Sequence, residues 1–270
     1  MENIIKNIEK PLDAEGAYMG EDGFMHCLIC GETLQTKINV FGSERIVTCI
    51  CKCEKEQQDA EKRRVIADNI ELNRLKAFRQ KRMHNYTFAN DDCKRPRLSE
   101  FCRKYSDNFD RYFKEGKGIL FAGNVGSGKT YMASCITNAV IDSGRTALFT
   151  SLPELCRTLG SEFDGTKQHN LDLLDRYSLL VLDDLGIERD TPSMLENVYS
   201  IIDGRYRSGK PMIITTNLSV DELQNCKDMR YGRIYDRILG QSFVLSVGGE
   251  SRRREHAEQL THEAIEIMKV

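Results

Sequence analysis

Short apolar runs recur through the second half of the chain and alternate with amphipathic segments. They cover residues 118–122, 146–150, 179–183, 212–216 and 243–247. Several are continuously apolar, which is typical of strands buried on both faces of a parallel sheet. The pattern predicts an α/β sandwich of about five parallel strands, with a ligand at the carboxyl ends of the strands.

Two stretches before the first of these runs predict helices. Residues 54–84 are highly charged and contain no proline or glycine. Beyond Glu71 the stretch is basic, which is more typical of a solvated connecting helix than of a phosphate or partner contact. Residues 98–114 carry aromatic side chains at helical spacing, which we expect to pack against the strands. These are Phe101, Tyr105, Phe109, Tyr112 and Phe113.

A glycine-rich segment follows the first apolar run and has the pattern G-x-x-x-x-G-K-T. Its glycines allow successive backbone N–H groups to converge on phosphate oxygens, and the helix that begins at Lys129 adds partial positive charge. Lys129 can reach the β- and γ-phosphates, and the Thr130 hydroxyl can ligate Mg²⁺. The segment therefore predicts a nucleoside triphosphate site. The expected contacts are Gly123, Asn124, Val125, Gly126, Ser127, Gly128, Lys129, Thr130 and Tyr131.

Polar residues at the ends of two later runs complete this predicted site. Asp183 ends one run and is expected to hold Mg²⁺, whereas Asp184 can orient or deprotonate the attacking water. Asn217 follows the run 212–216 and can lie beside the γ-phosphate, although a turn-initiating asparagine is an equal interpretation. Lys129, Asp183, Asp184 and Asn217 are accordingly the candidate catalytic residues from the strand ends.

Cysteines gather near the beginning of the chain. They are Cys27, Cys30, Cys49, Cys51 and Cys53. The two-residue spacing of the first pair lets both thiolates face one ion, and two of the three later cysteines would complete a zinc site. Residues 37–41 and 44–48 predict a hairpin that turns at Gly42 and Ser43. The segment therefore predicts a structural zinc ribbon, with His26 as a weaker alternative ligand.

Composition limits where in the cell the protein is expected and which kinds of partner it is expected to bind. The 270 residues include 39 basic and 41 acidic side chains, so any nucleic-acid contact must depend on local patches. No apolar run approaches the roughly 20 residues of a membrane span, and the first residues lack a signal-peptide core. Ten cysteines beside a nucleotide site favour cytosolic thiols and a metal site over a disulfide scaffold. We expect a cytoplasmic protein.

The order and spacing of several segments resemble the DnaC/DnaI-type helicase loaders. These segments cover residues 183–186, 202–206, 210–219, 233–237 and 249–253. The loaders are AAA+ ATPases that share their core with IstB-type transposition helpers, and the resemblance covers about residues 86–255. It implies an AAA+ P-loop fold without a full lid domain. The residues after Arg237 are too few for such a domain, although residues 255–270 can form one amphipathic helix.

The resemblance also implies roles for further residues. Asn217 matches a first sensor, Arg237 an arginine finger and Arg253 a second sensor, with Arg252 as an open alternative. In many related ATPases the position of Asp184 is glutamate, so the role of Asp184 as a base stays open. The segment 151–159 resembles a helical insertion near single-stranded DNA, where phosphate contacts could come from three nearby basic residues. These are Arg145, Arg157 and Lys167.

We therefore expect a zinc-ribbon-like module plus charged helix at 1–84, a linker at 85–97 and an AAA+ domain at 98–270. By resemblance, the first part docks a DnaB-type replicative helicase, and the chain assembles with ATP into a homo-oligomer that grips single-stranded DNA. The predicted cofactors are ATP, Mg²⁺ and structural Zn²⁺. Two alternatives are a transposition helper that binds duplex DNA and a nucleotide-gated adaptor with little hydrolysis.

Overall fold

The computed structural model describes residues 16–160, 166–186, 191–249 and 251–268. The strands are β1 (Ala17–Met19), β2 (Met25–Cys27), β3 (Gln35–Val40), β4 (Ser43–Thr48), β5 (Gly118–Ala122), β6 (Ala147–Ser151), β7 (Leu179–Leu185), β8 (Met212–Thr216) and β9 (Ser242–Ser246). The helices are α1 (Lys52–Ala77), α2 (Pro96–Asp107), α3 (Phe109–Glu115), α4 (Lys129–Asp142), α5 (Leu152–Gly160), α6 (Thr166–Leu174), α7 (Pro192–Arg207), α8 (Val220–Gln224), α9 (Met229–Gln241) and α10 (Arg252–Met268). The chain divides into two compact units, and the boundary lies between Asp68 and Asn69.

The first unit contains two small antiparallel pairs, β1 with β2 and β3 with β4. The predicted hairpin is present, but Val40 pairs with Ser43, so its turn lies one residue earlier than predicted. Phe41 and Gly42 occupy the turn with φ of 53° and 83°. Positive φ at both central positions is the type I′ geometry, whose twist matches that of the flanking strands. Gly42 adopts this conformation without a steric cost, whereas a bulky residue such as Phe41 rarely does.

Helix α1 is shorter than the predicted 54–84, since it ends at Ala77. Phe78 leaves the helix and forms a parallel bridge with Phe149 of β6, and a 3₁₀ turn covers Lys81–Asn85. Burial of Phe78 against the second unit's sheet accounts for the early end, because a continued helix could not make the bridge. The basic residues beyond Ala77 therefore lie outside α1.

The segment predicted as a linker belongs to the second unit and packs against its core. Asn138 of α4 donates hydrogen bonds to the carbonyls of Met83 and Tyr86, both at 2.9 Å. Tyr86 and Phe88 contact the hydrophobic core. The domain limits at residues 84 and 98 stay a prediction.

The single helix predicted at 98–114 is in fact two helices, α2 and α3, which meet at Asn108. Asn108 has φ −106° and ψ 21°, outside the helical region, so the chain changes direction there. The bend places Tyr105 against Tyr112 with ring centroids 4.9 Å apart. The five aromatic side chains of this segment all contact the core of the sheet domain, which confirms their predicted packing.

The second unit is built on a five-stranded parallel sheet with the order β6-β7-β8-β5-β9. Alternate residues of β5 face opposite sides: Ile119 and Phe121 join one core with α2 and α4, whereas Leu120 joins the other with α5, α7 and α9. The sheet thus has helices on both faces, giving three layers, and the predicted α/β sandwich of five parallel strands is confirmed. Among the described residues after β9, the chain forms one helix, α10. Among the described helices, none combines the length and the apolar character that crossing a bilayer requires.

Arg205 joins the amino ends of β7 and β8 from inside the protein. It is 2% exposed and donates to the carbonyls of Leu174, Tyr177, Ser178 and Pro211 at 2.9–3.4 Å. Burial lowers the pKa of this guanidinium to about 10, so it stays charged at neutral pH. Its cost of desolvation is offset by these charge-assisted hydrogen bonds.

We expect Arg205→Met to lower the free energy of unfolding by roughly 3–5 kcal/mol, because several buried carbonyls would lose their donor. Arg207→Ala is a matched control on the same helix, since its side chain is 75% exposed and should change stability by less than about 1 kcal/mol. Urea unfolding followed by circular dichroism measures both. Equal stability of the two variants would contradict this role.

Candidate nucleotide site and cysteine cluster

The glycine-rich loop joins β5 to α4, in the strand–loop–helix context that the sequence predicts. Gly123, Gly126 and Gly128 have φ of 130°, 77° and 92°, a region that favours glycine. A Cβ on Gly126 would lie 2.0 Å from Ser251 Oγ, and one on Gly123 would lie 2.5 Å from the Val247 carbonyl oxygen. The loop therefore needs glycine for both its conformation and its close packing.

Lys129 lies inside this loop and is 6% exposed. Its Nζ donates to the carbonyls of Gly123 and Asn124 at 2.7 and 2.8 Å and to Asn217 Oδ1 at 2.9 Å. Burial lowers the pKa of the ammonium group, and the charge of Arg253 acts in the same direction. The structure thus brings Lys129 and Asn217 together, as a shared phosphate site requires.

Asp183 forms a second focus of polar contacts at the carboxyl end of β7. Its Oδ1 accepts from Thr130 Oγ1 at 3.0 Å and from Thr215 Oγ1 at 2.6 Å. Burial raises the pKa of the Asp183 carboxyl, while the Thr215 hydrogen bond opposes that rise. Thr130 and Asp183 therefore supply adjacent oxygen ligands of the kind Mg²⁺ takes beside a phosphate. Thr215 escaped the sequence analysis, because a threonine inside an apolar strand has no distinguishing pattern.

Asp184 occupies an unusual backbone position. Strand β7 continues to Leu185 instead of ending at Asp183, and its register with β8 shifts between Leu182 and Leu185. Asp184 has φ 62°, a left-handed conformation that aspartate tolerates better than most residues. Its N–H donates to Thr215 Oγ1 at 3.0 Å. The bulge leaves Asp183 buried and Asp184 half-buried, so the two carboxylates differ in environment.

The Ser127 hydroxyl is a buried group that lacks a partner within the described part of the chain. Ser127 is 1% exposed, and buried polar atoms in native proteins almost always have a hydrogen-bond partner. A ligand oxygen in the loop would supply one. Together with the glycine conformations, the Lys129 ammonium and the Thr130–Asp183 pair, this group fits a nucleotide with Mg²⁺.

The start of α10 lies against the phosphate loop. Arg252 N–H donates to the Gly126 carbonyl at 3.1 Å. The Arg252 guanidinium pairs with Asp92 and lies 5.9 Å from the Tyr131 ring centroid. Arg253, in contrast, is exposed. Arg252 is thus engaged by Asp92, a contact that the sequence analysis missed because the two residues are 160 positions apart.

Arg237 makes its polar contacts with α7 and α9. Its guanidinium bonds Asp203, Tyr199 and the Arg233 carbonyl. No hydrogen bond or ion pair between described residues links it to the phosphate loop. An arginine that acts on a neighbouring subunit would show this separation, so the role of Arg237 as a finger stays a prediction.

The cysteine cluster contains four of the five candidate ligands. Cys27, Cys30, Cys51 and Cys53 place their sulfur atoms within 4.8 Å of one another. Tetrahedral zinc with Zn–S bonds of about 2.3 Å would hold its sulfur atoms about 3.8 Å apart, which matches this spacing. Cys49 lies outside the cluster and donates to the Thr33 carbonyl at 3.3 Å.

Electrostatics in the cluster also favour a bound cation. Backbone N–H groups of Cys30 and Ile29 lower the pKa of the Cys27 thiol to about 6, whereas the hydrogen bond with Cys51 raises the pKa of Cys53. One thiolate therefore disfavours another, and a divalent ion would let all four sulfur atoms ionise. His26 is not a ligand here, since its ring bonds Asp22 at 2.9 Å and the Gly31 carbonyl at 3.0 Å.

The model of the family described as IstB-like ATP binding protein matches residues 29–260. The chain belongs to this family. A matched segment of 167 residues is 26% identical to the replicative helicase loader DnaI of Bacillus subtilis, covering 58% of this chain and 52% of DnaI. For the replicative helicase loader DnaC of Escherichia coli K12 the identity is 26% over 155 residues, or 56% of this chain and 61% of DnaC. The chain thus spans about half to three-fifths of these relatives.

A solved structure described as the DnaC helicase loader superposes with a TM-score of 0.55 and 29% identity. The superposed region covers 62% of this chain and 99% of the chain in the solved structure. These matches confirm the resemblance to the DnaC/DnaI loaders and the AAA+ fold with its P-loop.

We expect the purified protein to contain about one zinc ion per chain, the stoichiometry of a four-cysteine site. Cys51→Ser should release the metal, because it removes one ligand from the cluster. Cys49→Ser should retain it and is the matched control two residues away. Plasma mass spectrometry of the native protein measures the content. A metal-free wild type, or equal loss in both variants, would refute the assignment.

We expect Lys129→Ala to reduce ATP affinity by at least about 100-fold, since the ammonium is the cation placed inside the loop. Lys210→Ala is a control that removes a half-buried lysine bonded to the Asp175 carbonyl. Fluorescent ATP-analogue titration reports the affinity, and circular dichroism reports the fold. Near-normal affinity in a folded Lys129→Ala protein would remove the loop from the nucleotide site.

Proposed function

We propose that this protein is a cytoplasmic, ATP-dependent loader of a DnaB-type replicative helicase onto single-stranded DNA. The observation that carries the proposal is the grouping of Lys129, Asn217 and the Thr130–Asp183 pair at the carboxyl ends of neighbouring strands. The proposal is supported by membership of an ATP-binding family and by relatives whose names describe replicative helicase loaders.

Each residue of the site has a task in ATP hydrolysis. The loop N–H groups and Lys129 would hold the phosphates, and Thr130 with Asp183 would hold a Mg²⁺ ion that offsets charge on the γ-phosphate. The Asn217 amide, whose oxygen accepts a hydrogen bond from Lys129, would align the attacking water. Asp184 orients that water or takes its proton. Because positioning and charge stabilisation dominate phosphoryl transfer, the arrangement suits an ATPase.

The surroundings of three arginines support the proposed assembly. Arg237 bonds to α7 in its own chain and would stabilise charge on the phosphoryl group of a neighbouring copy. Arg253 is exposed beside the loop and has no side-chain partner within the described residues, whereas Arg252 is held by Asp92. This contrast favours Arg253 as the second sensor. We therefore propose an ATP-bound homo-oligomer in which each site is completed by its neighbour.

The cysteine module is the proposed helicase-docking part. Its zinc site would fix a small module that exposes large apolar side chains. Ile29, between Cys27 and Cys30, is 79% exposed, and Phe41 and Ile46 of the hairpin are 104% and 57% exposed. Exposed apolar groups of this size on a small module are typical of a protein interface. The remaining partner, single-stranded DNA, would contact the region of α5.

The basic residues expected near α5 differ in their surroundings. Arg157 is exposed and is the best placed for a phosphate contact. Arg145 pairs with Asp110 at 2.6 Å and lies 4.8 Å from the Phe113 ring centroid, which favours a structural role. The side chain of Lys167 lies outside the described residues.

The alternative of a transposition helper is favoured by the description of the matched family, IstB-like ATP binding protein. A protein of that kind would bind duplex DNA with ATP and would need no helicase. The two functions use the same nucleotide site, so they differ only in their partners.

A loading assay with the full chain separates these functions. A DnaB-type helicase is added to single-stranded DNA covered with single-strand-binding protein, and unwinding of an annealed oligonucleotide is followed with and without this protein and ATP. We expect at least a tenfold rise in unwinding with wild type, based on the gain typical of delivering one partner to another. Lys129→Ala should abolish the rise.

Cys27→Ser combined with Cys30→Ser should lose helicase capture while retaining ATP binding, since these cysteines belong to the first unit and the phosphate loop to the second. ATP-dependent coating of duplex DNA without any effect on helicase would contradict the loader function and support the transposition helper.

A further inference from the structure

The Arg237 guanidinium is held from several directions within its own chain. Nε donates to Asp203 Oδ1 at 2.8 Å, Nη2 to the Tyr199 hydroxyl at 3.0 Å and Nη1 to the Arg233 carbonyl at 3.0 Å. Tyr199 and Tyr206 have ring centroids 5.0 and 5.9 Å from the guanidinium carbon. These contacts leave the side chain little rotational freedom.

Asp203 is the central group of this arrangement. It is 7% exposed and lies near the end of α7, next to the helix that carries Arg237. Its second carboxylate oxygen accepts from Arg207 at 2.7 Å, and that arginine is itself 75% exposed. Asp203 therefore pairs with two arginines: Arg207, which is largely exposed to solvent, and Arg237, which is mostly buried.

The guanidinium keeps donors available despite these contacts. Arginine has five N–H groups in a fixed planar fork, and the contacts above use one N–H on each nitrogen. The other two N–H groups have no partner within the described residues. The Arg237 side chain is also 24% exposed. A rigid fork with spare donors suits recognition of a phosphate from outside the chain.

We propose that Asp203 and Tyr199 are positioning residues that set Arg237 in the orientation in which it meets the nucleotide of a neighbouring copy. The inference rests on the proposed function, which assigns Arg237 as the arginine finger. An unheld arginine would sample many rotamers, and assembly would have to freeze them. Holding the fork before assembly removes that cost and aligns its free donors.

ATP turnover measured on the full chain with single-stranded DNA tests this role. Asp203→Asn should lower kcat about 10- to 100-fold, the scale of a misplacement of about 1 Å. Tyr199→Phe keeps the ring and loses the hydroxyl contact, so its loss should be smaller. Fluorescent ATP-analogue binding should be unchanged in both, because neither residue contacts the phosphate loop. Arg207→Ala, which removes the exposed partner of the same carboxylate, should retain wild-type kcat.

A mixing experiment distinguishes positioning in trans from local damage. Lys129→Ala subunits should bind ATP weakly and turn over little, but they carry an intact Arg237 with its supports. Added in excess to Asp203→Asn subunits, they should restore turnover at the Asp203→Asn sites. Absence of rescue, or wild-type turnover by Asp203→Asn beside an inactive Arg237→Ala, would overturn the inference alone. Wild-type turnover by Arg237→Ala would overturn the finger assignment and the inference with it.

Discussion

The nucleotide site depends on one close approach between two turns of backbone. Residues 123–128 bend away from β5, and Val247, Ser251 and Arg252 lie directly against them. Val247 N–H donates to the Ala122 carbonyl at 2.7 Å, and Arg252 N–H to the Gly126 carbonyl at 3.1 Å. Only hydrogen side chains at Gly123 and Gly126 leave room for this contact. The shape of the loop is therefore set partly by a segment that lies about 120 residues later.

The same close packing explains why the charged residues of the site are poised for a ligand. Burial lowers the pKa of Lys129 and raises that of Asp183, so both groups have lost solvation that contacts within the protein only partly replace. A phosphate would supply the negative charge that favours the Lys129 ammonium, and Mg²⁺ would supply the positive charge that favours the Asp183 carboxylate. Binding would return the missing interaction energy, which is how a buried site obtains affinity from few residues.

Local patterns in the sequence predicted most of the strands and most of the nucleotide-site residues, because these features depend on residues that are close together in the chain. Continuous apolar runs are enough to identify β5, β7 and β8, and the loop glycines need only their own neighbours. The Asp183–Thr215 and Arg252–Asp92 contacts join distant segments through packing, so no local pattern could indicate them. The break at Asn108 and the end of α1 at Ala77 likewise follow from what the flanking aromatics contact.

Two arginines of the second unit show how surroundings separate a structural role from a proposed functional one. Arg205 is buried, and the backbone carbonyls around it satisfy its guanidinium from several sides. Arg237 is held as firmly by Asp203 but stays partly exposed and retains unpaired donors within the described structure. Ordering a long side chain without using all its donors costs conformational entropy that internal contacts only partly offset. The unused donors therefore favour a partner outside the chain, and a phosphate on a neighbouring copy fits that requirement.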